Sequence, residues 1–253
     1  MTFLPPGVDA FTASLLIAIS FVTSAITAAF GIGGGVAMLG ALAGTVPPAV
    51  IIAVHGFVQL GSNLGRAVLQ KDHANWRLFW LFMIGAVLGV ALGAWLFRAM
   101  PERLLLAMLG VFILVMVWVP KPKIPGLERA GMVLGGGISS VLTMFVGATG
   151  PFIQSLLVPL GLDRKQIVAT QAVMMTAQHA LKVAAFGFIG VALVAWLPLI
   201  AAMVVSGFVG TVMGTKLLDR MSERFFQITI RVVLTLVALD LLRRAAGITL
   251  PGF

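Results

Sequence analysis

Residues 54–66 read V-H-G-F-V-Q-L-G-S-N-L-G-R, and residues 170–182 read T-Q-A-V-M-M-T-A-Q-H-A-L-K. Shifted by 116 positions, the two stretches fall on each other: His55 meets Gln171, Ser62 meets Gln178, Asn63 meets His179 and Arg66 meets Lys182. At 3.6 residues per turn, the polar residues of each copy share one helical face. Each set lies inside an apolar run long enough to span a bilayer. Polar side chains at that depth are expensive and mark functional sites by default.

The rest of the chain fits this reading. Of 253 residues, 60% are hydrophobic and 10% charged, against about 25% charged in a soluble domain; mean hydropathy is +1.11. The chain therefore reads as an all-α, polytopic integral membrane protein. A formal charge of +9 would suggest nucleic acid in a soluble chain. Here the basic residues sit mainly in short loops, where they orient helices, so the lipid bilayer is the expected partner and nucleic acid is not. There is no cysteine, which removes disulfides, thiolate chemistry and cysteine metal sites. No cofactor or metal is expected. The start, M-T-F-L-P-P-G-V-D-A, has no basic n-region, so the first apolar run is expected to be a retained helix.

In order, Asp9 can cap a helix reaching Phe30, and G-I-G-G-G at 31–35 breaks it. A short apolar piece, 36–45, ends at Pro47 and Pro48; a straight span needs about 20 residues. Spans at 49–69 and 76–97 follow, with Trp76 and Trp80 placed as interface anchors. Pro101 suits the first turn of a helix reaching Val119, and 121–125 is a linker. The plan then repeats: a helix at 127–145, a break at 147–151, a short piece at 152–160, and a helix to Phe186 opened by Asp163 and Gln166 as a capping box. A span at 191–217 and a last helix capped by Ser222 complete the chain.

Gly31 and Gly34 align with Gly147 and Gly150 at the same offset of 116. Each half, 1–124 and 125–253, is expected to hold four long transmembrane helices and one short broken or re-entrant helix. If the short pieces cross the membrane, Lys71, Arg77, Lys121, Lys123, Arg129, Arg164, Lys165, Lys216, Arg220 and Arg224 share one side. Arg98, Arg103, Arg243 and Arg244 take the other. That bias favours inverted repeats with both termini outside the cytoplasm. If the short pieces do not cross, the repeats are parallel and the bias vanishes.

On these motifs the chain resembles the sulfite exporter TauE/SafE family, also called the 4-toluene sulfonate uptake permease family. The resemblance rests on the duplicated plan, F-G-I-G-G-G at 30–35, G-A-T-G-P-F at 147–152, V-P-L-G-L at 158–162 and the helix containing residues 54–66. It implies import or export of a sulfur oxyanion or organic sulfonate across the inner membrane.

The residues themselves point to an anion. Arg66 and Lys182 are cations inside spans that hold almost no carboxylate, so a substrate anion can be their counter-ion. The competing expectation is that both snorkel to the headgroups, since each lies late in its helix. The breaks at 31–35 and 147–151 each lead into a short helix whose N-terminus carries free N–H groups and partial positive charge. Gly33, Gly34, Gly35, Thr149 and Gly150 can therefore cradle an anion, or they serve only tight packing. His55 and His179 can touch ligand, relay protons as coupling ion or remain structural. Gln59, Ser62, Asn63, Gln171 and Gln178 can donate to substrate oxygens or bond one another between helices. The chain contains no G-x-S-x-G, H-E-x-x-H or Walker A sequence, so it is not expected to be an enzyme. A transporter is the leading reading. A passive anion channel of the same fold is the alternative.

Overall fold

Local signals start and stop most of the helices. The computed structural model describes residues 4–30, 33–98, 100–119, 129–191, 193–217 and 223–248. Asp9 Oδ1 accepts from the Thr12 amide at 2.7 Å and opens α1 (Ala10–Phe30). Gly33, at φ +101°, starts α2 (Gly34–Thr45). Glycines expected to lie in the break thus form the first turn of that helix. α3 (Pro48–Gln70) begins on the second of the two prolines, where a missing N–H costs nothing. Asn75 caps α4 (Trp76–Phe97) by accepting from Leu78 N at 3.1 Å. Pro101 stands just before α5 (Glu102–Trp118) rather than inside its first turn.

The second half contains α6 (Arg129–Val146), α7 (Gly150–Leu157), α8 (Arg164–Ile189), α9 (Leu197–Leu217) and α10 (Glu223–Ala245). α7 also starts on its glycine, two residues before the expected point. The capping box of α8 is complete: Gln166 N donates to Asp163 Oδ1 at 2.9 Å and Asp163 N donates to Gln166 Oε1 at 3.2 Å. α8 ends at Gly190, whose φ of +84° closes it. The next helix begins later than expected, after a 3-10 turn at Val194–Trp196. The expected Ser222 cap, the linker at 121–125 and Gly31 lie outside the described residues.

Among the described residues there is no strand, and four helices are long and apolar enough to cross a membrane: Ala10–Ala28, Trp76–Phe97, Lys165–Ile189 and Val194–Gly214. Shorter apolar helices are Gly34–Thr45, Ala130–Val146 and Gly150–Leu160. The expected eight long spans are thus not all alike. α5 has 17 residues and covers about 25 Å at 1.5 Å per residue. α3 has 23 residues, but its polar face lowers its hydropathy.

α1 packs along α9, α4 along α6, α3 along α8 and α5 along α10. Small residues let the first two pairs approach. A Cβ on Gly89 would strike the backbone of Gly137, and one on Gly93 would lie 2.8 Å from Met144 Cγ. On α9, Gly210 faces the Phe21 backbone and Gly214 the Ala25 backbone. Interhelical hydrogen bonds reinforce this contact: Ser20 Oγ donates to Met203 O at 2.7 Å and Ser206 Oγ to Ile17 O at 2.8 Å. Large apolar residues such as Trp76, Trp80, Leu88 and Phe208 are exposed on the outside, as a lipid-facing surface requires. The polar faces of α3 and α8 turn inward, and the candidate site is built there.

Candidate anion site between the two helix breaks

α3 supplies a ladder of polar groups. Asn63 Nδ2 donates to Gln59 O at 2.7 Å, and its Oδ1 accepts from Arg66 Nη2. Arg66 Nη1 reaches Thr27 O, at the end of α1, at 3.4 Å. Arg66 Nε is buried with no partner. The residue is only 2% exposed, so its guanidinium does not snorkel. Among the described residues the ion pair present is Arg243–Asp240, 2.7 Å apart; Arg66 has no carboxylate beside it. A buried charge held only by neutral groups carries a desolvation penalty of several kcal/mol.

Each long helix also grips the short helix of its own half. His55 Nε2 lies 2.9 Å from Gly35 O, and Gln171 Nε2 donates to Gly150 O at 2.9 Å. Gly147, at φ +74°, adopts a backbone only glycine holds without strain. A Cβ there would stand 2.9 Å from His55 Nδ1. The second break is therefore folded directly onto the α3 histidine. Gly33 and Gly35 at the start of α2, and Gly150 and Pro151 at the start of α7, border the same space.

That space is a cavity of about 20 Å³ for the centre of a water-sized sphere, room for about one water. Of the expected residues, Gly33, Gly35, His55, Gln59, Asn63, Arg66, Gly150, Gln171 and His179 line it. Thr27, Val36, Ala148, Pro151 and Met175 complete the wall. Gly34, Ser62, Thr149, Gln178 and Lys182 are not among the lining residues. A Cβ on Gly34 would strike the Thr23 carbonyl, so that glycine seats α2 against α1. Gln178 is fully engaged: Oε1 accepts from Thr149 Oγ1 at 2.9 Å, and Nε2 donates to Ser139 and Ser140 at 2.8 and 2.9 Å. Ser62 is buried. Lys182, also fully buried, lies against Gly56 of α3, and its Nζ has no hydrogen-bond partner. His179 has both ring nitrogens unpartnered and lies 6.1 Å from His55. The arrangement offers donors and positive charge without a resident acceptor of opposite sign. Among the described residues no group of side chains suits a metal ion.

The family model of the sulfite exporter TauE/SafE matches residues 16–241 of the chain. The chain belongs to the TauE/SafE family. No curated protein and no solved structure matches it. Membership makes it a membrane permease of the sulfite- or anion-exporter type. The match takes in both glycine breaks and both polar helices. The TauE/SafE chain holds cavity residues that helical periodicity did not single out: Thr27, Met175, Ala148 and Pro151. Thr27 carried a faint signal, since position 143 at the same offset is also threonine. Ser139, Ser140 and Gly56 matter behind the cavity, holding Gln178 and admitting Lys182.

Proposed function

We propose that this chain is a secondary transporter that moves a small anion, a sulfur oxyanion or an organic sulfonate, across the inner membrane. Alternating access occurs at the cavity between two repeats, 1–124 and 125–253. The observation that carries this is a convergence. The Arg66 guanidinium and the glycine-led starts of α2 and α7 open onto one cavity that, among the described residues, no carboxylate lines. An anion there gains charge-assisted hydrogen bonds and two helix dipoles.

The packing supports the duplication. Offset 116 carries α1 onto α6 and α3 onto α8. α4 and α9 correspond at an offset of 121, through Gly89 with Gly210 and Gly93 with Gly214. The α1–α9 and α4–α6 contacts are then one interface made twice, and α3–α8 and α5–α10 are self-pairs across a pseudo-twofold. His55 on Gly35 O and Gln171 on Gly150 O are similar tethers set one residue apart, since the offset of 116 carries Gly34 rather than Gly35 onto Gly150. We take the repeats to be inverted, on the bias of basic loop residues. The cavity has room for about one water, too little for the four heavy atoms of sulfite, so loading requires the halves to part.

The test is a thermal-stability screen of the purified protein with sulfite, sulfate, thiosulfate, methanesulfonate and acetate. A ligand of the native state raises the melting temperature in proportion to its occupancy. Stabilisation by sulfur oxyanions or sulfonates is expected. A flat response to every one of them would remove the anion site.

A further inference from the structure

Two cations were expected to share one task, and the structure separates them. Arg66 lines the cavity; Lys182 lies behind it, in a slot between α8 and α3. The slot exists because residue 56 is glycine: a Cβ there would stand 2.7 Å from Lys182 Cε and 3.5 Å from Nζ. The lysine is fully buried, and Nζ has no hydrogen-bond partner. One turn earlier on α8, His179 lines the cavity with both ring nitrogens unpartnered. Cavity, imidazole and amine thus follow one another.

The chemistry of the two cations differs in one respect that matters here. A guanidinium keeps its charge in proteins, whereas a buried amine exchanges its proton. From the elements packed against α8, the titratable groups that face this region are His55 and Arg66 of α3. Arg77 of α4 and the Lys71, Asp72 and His73 turn are exposed at the surface, and α7 has no titratable side chain. Among the described residues, the charge that faces this region beside Lys182 is therefore that of Arg66, of the same sign. Bringing one negative charge into the cavity changes that balance in a single step.

We infer that Lys182 is the proton carrier of this transporter, loaded through His179 when an anion occupies the cavity, so that proton and anion cross together. The inference rests on the anion-transport reading. The proton comes from the compartment that delivers the anion, binds the free electron pair of Nζ and leaves with the anion. Arg66 remains charged throughout and holds the anion. The N–H bond formed on loading is broken on release, and no other covalent bond changes.

The test measures proton uptake by purified protein in weakly buffered solution near neutral pH as sulfate or methanesulfonate is added. Neither anion holds a proton of its own in that range. Thermal stabilisation is followed in parallel. The wild type should take up about one proton for each anion bound. Lys182→Arg should still be stabilised by the anion and take up none; Lys182→Met, the second variant, should also take up none. Stabilisation without proton uptake in the wild type overturns the inference and leaves the anion site standing, as does equal uptake in wild type and Lys182→Arg. No stabilisation by either anion in the wild type overturns the inference, and the anion site falls with it when sulfite, thiosulfate and acetate are also without effect.

Discussion

The imidazoles of His55 and His179 meet edge to face across the α3–α8 contact, with 6.1 Å between ring centroids and 71° between planes. The repeat pairs neither with the other. His55 corresponds to Gln171 and His179 to Asn63. At this offset of the sequence, chemically unlike side chains thus take corresponding places. One imidazole tethers a short helix; the other lines the cavity with both nitrogens unpartnered.

Arg66 should control affinity. A hydrogen bond to a charged group contributes roughly 1.5–3 kcal/mol, so Arg66→Ala should weaken anion binding by about ten- to a hundredfold. Arg66→Lys should recover part of it, since an ammonium replaces the charge but not the fork. Titration of the purified variants by calorimetry reads this directly. Unchanged affinity in a folded Arg66→Ala protein would place the anion elsewhere.

Gln178 should act on stability before affinity, because its amide is spent on Thr149, Ser139 and Ser140. Gln178→Ala should cost about 2–4 kcal/mol, seen as a lower melting temperature in detergent. Its anion affinity, measured below that melting temperature, should change less than that of Arg66→Ala. The reverse order would put the Gln178 amide in the cavity.

Helical glycines should differ according to what they face. Gly89→Ala and Gly210→Ala force a methyl onto neighbouring backbone and should each lose about 1–3 kcal/mol or more. Gly187 of α8 has nothing within 4 Å of an added Cβ, so Gly187→Ala should gain up to about 1 kcal/mol. Melting temperatures of the three variants give the ranking. A stabilised Gly210→Ala would contradict the close α1–α9 contact.

Topology can be decided by single-cysteine labelling, made clean by the absence of native cysteine. If α2 and α7 cross, the repeats are inverted and cysteines at positions 73 and 165 react from the same side, the cytoplasm. If they do not cross, the two positions react from opposite sides. The membrane-impermeant reagent is applied to intact cells and to inverted vesicles.

Much of the fold was legible because helix ends announce themselves. Asp9 and the Asp163–Gln166 pair open helices by local hydrogen bonds, and the α4 limits follow from its apolar run. The start of α9 was missed because Gly190 closes α8 and a 3-10 turn intervenes inside a continuous apolar run. Hydropathy does not register such a bend.

From the residues alone came the helical class, the bilayer environment and the polar faces of α3 and α8, since composition and a 3.6-residue period act along a single helix. Which polar tips share a cavity was settled only by how the helices pack. The period assigns Gln178, Lys182 and Arg66 to inward faces. It is silent on whether a long side chain turns toward the helix breaks, into the notch over Gly56 or onto the serines of α6. Those choices depend on the space neighbouring helices leave, and that space exists only after the helices have closed around it.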